Sequence, residues 1–300
     1  MEHGSRKATI AAFSANLAIA VAKFVGFLIT GAASMLAEAV HSVADTTNQG
    51  LLLLGGARSR RDPNPQHPFG YGRERYFWAF VVSLLLFTLG SLFALFEGEE
   101  KLRNPHELES VGWAVGILVI AFVAEGLSLR TAVGESAKLK AGSSWWAFIR
   151  RSKSPELPVV LLEDSGALLG LAFALIGVVL AKVTGNPRFD ALGSIAIGLL
   201  LGFIAITLSI EMKSLLIGES ASPQQRDAIR GALLSDPRVR RVSELRTEHF
   251  GPDELLVGAT VDLDGDLDLA EVTRVMATLE GLVREAVPQS CFIYLEPEGA

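Results

Sequence analysis

Of 300 residues, 50% are hydrophobic and 20% charged, and the mean hydropathy is +0.37; soluble domains carry about 25% charged residues, so this chain is too apolar to be one. A single cysteine, Cys291, excludes an intrachain disulfide framework and a Cys-rich zinc module, and a net charge of −6 excludes a basic nucleic-acid-binding domain. The charge is divided: residues 1–210 hold 18 Lys/Arg against 16 Asp/Glu and residues 211–300 hold 9 against 17, the pattern of a membrane part followed by an acidic soluble tail.

Six stretches reach the roughly 20 apolar residues that a bilayer core demands: Ala8–Thr30, Ser34–Gly56, Tyr76–Phe96, Val111–Leu129, Pro158–Val179 and Ala191–Ile210. Arg6 and Lys7 precede the first, but its apolar run exceeds the roughly 7–15 residues of a signal-peptide core, so a retained helix is expected. Twelve Lys/Arg fall in the N-terminus and in the loops after spans two and four, against Lys101, Arg103, Lys182 and Arg188 opposite, which puts both termini in the cytoplasm. In the tail, Ser222-Pro223 opens a helix through Leu234. Val242–His249 and Glu254–Leu263 read as strands, the second alternating Leu255, Val257, Ala259 and Val261. Val272, Val275, Met276, Leu279, Leu282 and Val283 form a helical stripe, and Cys291–Leu295 a last strand. The fold class is therefore an α-helical membrane protein of six spans with an αββαβ cytoplasmic domain, divided at 1–212 and 213–300.

Polar residues inside a membrane are expensive, by about 2.5–3.5 kcal/mol for a central charge, and mark function by default. In the second span Glu38, His41, Asp45, Asn48 and Gln49 share one sector of about 100°. An imidazole and a carboxylate four residues apart meet on one face, as two ligands of one divalent cation must. A stripe of helix–helix hydrogen bonds is the plainer alternative. The fifth span adds adjacent carboxylates, Glu163 and Asp164, which point about 100° apart; Asp164 is expected to face the stripe, with Glu163 the second candidate. Asn16 and Lys23 share a face of span one, Lys23 being either a counter-ion or a participant, and Glu125 with Arg130 reads as a pair lining the bundle. The acidic run Asp262–Asp268 lacks the glycine and terminal Glu of a calcium loop and is read as a solvated turn. Neither a nucleophile elbow nor an HExxH motif accompanies Ser165 or the histidines, so no enzyme is expected.

These residues resemble the cation diffusion facilitator family. Ser34-Met-Leu-Ala-Glu-Ala-Val-His-Ser-Val-Ala-Asp45 is similar to its second-helix signature, His67-Pro-Phe-Gly-Tyr-Gly72 with Arg73 and Glu74 to its following loop, and Asp190-Ala-Leu-Gly-Ser194 to its sixth-helix opening. An αββαβ tail completes a resemblance running from Arg6 to Glu296. It implies a homodimer in a lipid bilayer that exchanges Zn²⁺ or a related divalent ion for protons, with no prosthetic group. His41 and Asp45 fall on the family's helix-two ligands and Asp164 on its helix-five carboxylate. Val160 stands where the fourth ligand belongs, so Glu163, through a rotated or unwound helix, or water must close the shell. The Glu-Asp start of helix five resembles the branch containing the animal mitochondrial zinc exporter. In the loop, His67 matches one ligand and Tyr71 replaces a second. In the tail Ser243, Ala259 and Tyr294 replace histidines, leaving Glu296, so dimerisation without a metal cluster is expected.

The expected activity is export of a divalent cation, Zn²⁺ ahead of Mn²⁺, Fe²⁺ or Co²⁺, by alternating access against protons; a non-transporting partner subunit is the alternative that Val160 raises. Glu38, Asn48, Asn16 and His67 are accessory candidates. Composition and the lack of a targeting extension suggest a bacterial plasma membrane.

Overall fold

The structure, a computed structural model, describes residues 17–105, 111–140, 142 and 144–298. Contacts divide the chain into two compact units, one of residues up to Gly55 with Trp78–Met212, the other of Gly56–Phe77 with Lys213–Ala300. The loop after the second span thus groups with the tail, where a linear division leaves it with the membrane part.

The helices are α1 over Leu17–Thr30, α2 over Ala33–Arg58, α3 over Glu74–Arg103, α4 over Val111–Leu139, α5 over Trp145–Arg151, α6 over Glu156–Thr184 and α7 over Arg188–Ile217. Four of them, α3, α4, α6 and α7, are long and apolar enough by themselves to cross a membrane. α2 has the length, 26 residues, but its polar stripe lowers its hydropathy. α1 is apolar and shorter, residues 8–16 of the predicted span lying outside the described residues. Phe96, Ile120, Val183 and Leu199 are exposed on the outer surface, as lipid contact requires. Several helices outrun their predicted ends, α4 continuing past Leu129 to Leu139, because hydropathy reads the apolar part of a helix and not the extent of its hydrogen bonding.

Close backbone packing and interhelical hydrogen bonds hold the bundle. A Cβ on Gly177 of α6 would stand 2.9 Å from the Phe189 carbonyl oxygen, and one on Gly193 of α7 would stand 3.0 Å from that of Phe173. Two backbones in contact exclude any larger side chain there, the small-residue packing of membrane helices. α3 widens into π geometry over Leu86–Leu92, where Ser91 Oγ donates to the Gly198 carbonyl at 2.8 Å. α2 starts on a cap from another helix: Asp190 of α7 accepts from Ala33 N at 2.7 Å, from Ser34 N at 3.3 Å and from Ser34 Oγ. A carboxylate suits the orphan N–H groups and positive dipole end of a helix.

The second unit has the order αββαβ: α8 over Pro223–Leu234, β1 over Val239–Gly251, β2 over Glu254–Leu263, α9 over Leu269–Ala286 and β3 over Ser290–Pro297. The sheet order is β1-β2-β3, with β1–β2 antiparallel and β2–β3 parallel. Leu255, Val257, Ala259, Val261 and Leu263 of β2 are buried with Ile229 and Leu233 of α8 and Val275, Leu279 and Val283 of α9. Both helices open on capping boxes, Ser222 with Gln225 and Asp268 with Glu271; the acidic run ends as the second of these. The 56–77 loop packs on the sheet through Phe69, whose ring lies 4.8 Å from that of Phe250 and 5.3 Å from that of Phe292. Arg73 pairs with Glu248, and its guanidinium lies 4.9 Å from the centre of the Phe250 ring. Gly72 sits where a Cβ would be 2.7 Å from the Phe250 carbonyl oxygen, so the loop backbone lies directly on the strand end.

Candidate metal-binding site

Most of the polar stripe of α2 is buried: Glu38, His41 and Asn48 have no solvent contact and Asp45 little, while Gln49 is half-buried. Helical spacing puts His41 and Asp45 on one face, with Nδ1 3.4 Å from Asp45 Oδ1, an ion-pair distance without the alignment of a hydrogen bond. Neither ring nitrogen of His41 has a hydrogen-bond partner among the described residues, nor does Asp45 Oδ1 or Asn48 Oδ1. Buried polar atoms are normally paired, so four orphaned ligand atoms on one helix face are atoms kept for something else.

α6 brings Glu163 and Asp164, both buried, and separates their roles. Glu163 turns to the α2 stripe, where Asn48 Nδ2 donates to Glu163 Oε1 at 2.6 Å. Asp164 turns to α4, where Ser128 Oγ donates to Asp164 Oδ2 at 2.8 Å. Of the two adjacent carboxylates, the one facing α2 is therefore Glu163, not Asp164 as the sequence suggests. The rotation of α6 decides this, and that rotation is set by packing. Among the described residues no three His, Cys, Asp or Glu side chains converge closely enough to hold one ion. The contacts of Glu163 and Asp164 explain why: each carboxylate is drawn to a neighbouring donor on a different helix.

The remaining candidates separate clearly. Glu38 receives Lys23 Nζ at 3.1 Å, and the same ammonium donates to Ser42 Oγ at 2.6 Å, so Lys23 is a counter-ion and Glu38 its partner. Glu125 of α4 is half-buried. His67 belongs to the second unit, its ring 4.5 Å from that of Tyr71 and its backbone paired with Asn64. Asn16 lies outside the described residues. Sequence reasoning missed Ser128, which carries no periodic signal, and the capping role of Asp190, which belongs to a contact 156 residues apart.

Buried carboxylates on facing helices are costly unless neutralised, and a proton or a metal ion can supply the positive charge. An imidazole beside them adds a nitrogen ligand. The arrangement has the chemistry of a site where protons and a divalent cation compete.

Known proteins share this plan. Residues 9–217 match the cation efflux transmembrane domain and residues 221–298 the cytoplasmic domain of cation efflux proteins. The chain is 37% identical over 246 residues to the human proton-coupled zinc antiporter SLC30A9, mitochondrial, a match covering 81% of this chain and 43% of that protein. It thus spans less than half the length of the antiporters of that name. It is 25% identical over 302 residues to the cation-efflux pump FieF of Pectobacterium atrosepticum, covering 99% of this chain and 95% of that one. It is 24% identical over 277 residues to the manganese efflux system protein MneP of Bacillus subtilis, covering 90% and 88%.

Proposed function

Because the chain belongs to the cation efflux (cation diffusion facilitator) family, an integral membrane transporter family and not an enzyme family, we propose that it exports a divalent cation, Zn²⁺, in exchange for protons by alternating access. The observation that carries this reading is a buried group on facing helices, His41, Asp45 and Asn48 of α2 with Glu163 bonded to Asn48 at 2.6 Å, in which the His41 nitrogens have no hydrogen-bond partner among the described residues. Metal ligands must be unprotonated to bind, so cation and proton exclude each other on the same atoms, and exchange follows from the ligands themselves.

His41, Asp45 and Glu163 are the proposed core of the site, and the cation would draw them closer than they stand here. Asp164 is proposed to join it on leaving Ser128. Glu163 then stands in for the ligand that Val160 does not provide. One nitrogen with several carboxylate oxygens suits Zn²⁺ and leaves Mn²⁺, Fe²⁺ and Co²⁺ as competitors, since ligand type narrows the metal without naming it. The similarity to a zinc antiporter supports the first of these and that to a manganese efflux protein the second. The tail, cytoplasmic in this family, is proposed to join two copies as a homodimer. A bacterial plasma membrane is the proposed location, on the Ala/Gly/Arg/Leu-rich composition of the chain.

The test is Zn²⁺ uptake by proteoliposomes carrying Asp45→Ala, Glu163→Gln or Asp164→Ala. Each variant is expected to fall to the level of protein-free vesicles while eluting as folded protein in detergent. Wild-type uptake by Asp45→Ala would remove the assignment.

A further inference from the structure

Asn48 is fully buried one turn beyond Asp45, with its amide divided between two situations. Nδ2 donates to Glu163 Oε1 at 2.6 Å, while Oδ1 has no hydrogen-bond partner among the described residues. An unpaired amide oxygen in a membrane core costs on the order of 1–3 kcal/mol, and a side chain of purely structural use would not be expected to carry that cost.

Amide oxygen and nitrogen are nearly the same size, so a half-turn about the last side-chain bond exchanges them with little repacking. After that turn Oδ1 would face Glu163 Oε1 at the distance Nδ2 now occupies. Adjacent oxygen ligands of one cation stand roughly 3.0–3.4 Å apart when each metal–oxygen bond is about 2.0–2.2 Å, so the two oxygens would part from 2.6 Å by a fraction of an ångström as the cation enters. With the N-terminus of α2 away from the cytoplasm, as the charge of the loops directs, Asn48 lies on the cytoplasmic side of Asp45. A cation moving outward therefore meets Asn48 and Glu163 before His41.

We propose that Asn48 is a further cation-binding residue, whose amide donates to Glu163 in the arrangement described here and turns to offer its carbonyl oxygen to the cation arriving from the cytoplasm. This rests on the transport reading above and adds a neutral oxygen ligand to it. It gives the helix-two stripe three ligand positions, His41, Asp45 and Asn48, instead of two.

The experiment is Co²⁺ titration of the purified full-length protein in detergent, followed by its visible absorption, which reports the ligand set around the metal. Asn48→Leu keeps the shape and removes the oxygen; its affinity is expected to fall about 10–100-fold with a changed spectrum. Asn48→Asp keeps an oxygen at the same place; its affinity should return to within a few-fold of wild type. Equal affinity and spectrum for wild type and Asn48→Leu overturn the proposal and leave the transport reading standing. So does equal weakening of Asn48→Leu and Asn48→Asp with the wild-type spectrum kept, since that is the mark of a residue that only positions Glu163. Asp45→Ala serves as the separate control. If it binds Co²⁺ as wild type does, the transport reading fails, and this inference with it.

Discussion

Lys23 and Glu38 are both fully buried, their charged atoms 3.1 Å apart, and Ser42 takes a second hydrogen of the ammonium. Each charge is tolerable in the membrane only because the other is there. Removing one partner should cost about 3–5 kcal/mol, whereas replacing both by apolar groups of similar volume can be neutral. Lys23→Met is therefore expected to lower the thermal midpoint sharply in detergent, and Lys23→Met with Glu38→Met to recover most of it. A double variant as unstable as the single one would show that the pair does something other than neutralise itself. The same reasoning limits what was legible in the sequence. The helical repeat of α2 identified Glu38, His41, Asp45 and Asn48 as one face, because 100° per residue needs no partner to be seen. It did not say that Glu38 is taken by Lys23, or that Glu163 rather than Asp164 turns to that face. Both depend on contacts between spans, and neighbouring carboxylates in one helix look alike until that helix is packed.

Elements are positioned by ends as much as by faces. α2, which carries most of the proposed ligands, begins on the Asp190 carboxylate of α7. Losing a carboxylate cap costs about 0.5–2 kcal/mol, so Asp190→Ala should destabilise the purified protein by about that much and raise amide exchange at Ala33–Leu36. Unchanged exchange there would mean that the cap is idle. The loop after α2 is held on the tail sheet by Phe69 between Phe250 and Phe292, each aromatic pair contributing about 0.5–1.5 kcal/mol beyond its buried area. Phe69→Ala is expected to speed amide exchange in residues 66–73 and to leave β2 protected; equal rates in both proteins would contradict that role. Where local pattern and local structure agreed, elements were readable, as in the alternation of β2 and the stripe of α9. β1 runs from Val239 to Gly251, longer than the predicted Val242–His249, because register shifts at Val239/Arg241, Val242/Glu244 and His249/Gly251 break its period of two. α5, with seven residues, is too short to show a helical period.

At the scale of the whole molecule, an apolar bundle carries the buried acid–imidazole group, and an acidic tail with its own core carries the strap of loop 56–77. The tail has an acid-sensitive point at Asp236, whose carboxylate is held below its ordinary range first by hydrogen bonds from the Arg238 guanidinium, at 2.8 and 2.6 Å. A carboxylate with a lowered folded-state pKa adds stability above its unfolded pKa and loses it as pH falls through the folded value. Asp236→Asn should thus unfold more easily than wild type in urea near pH 7, with the gap closing in acid; a gap that widens in acid would refute the sign. The central claim, however, is exchange. The measurement that tests it most directly is Zn²⁺ flux into proteoliposomes under an imposed pH gradient, with internal pH followed at the same time. Uptake is expected to need the gradient, with proton movement opposite to the metal and loss of both in Asp45→Ala. Zn²⁺ uptake of the same rate with and without the gradient, and no matching proton movement, would contradict it.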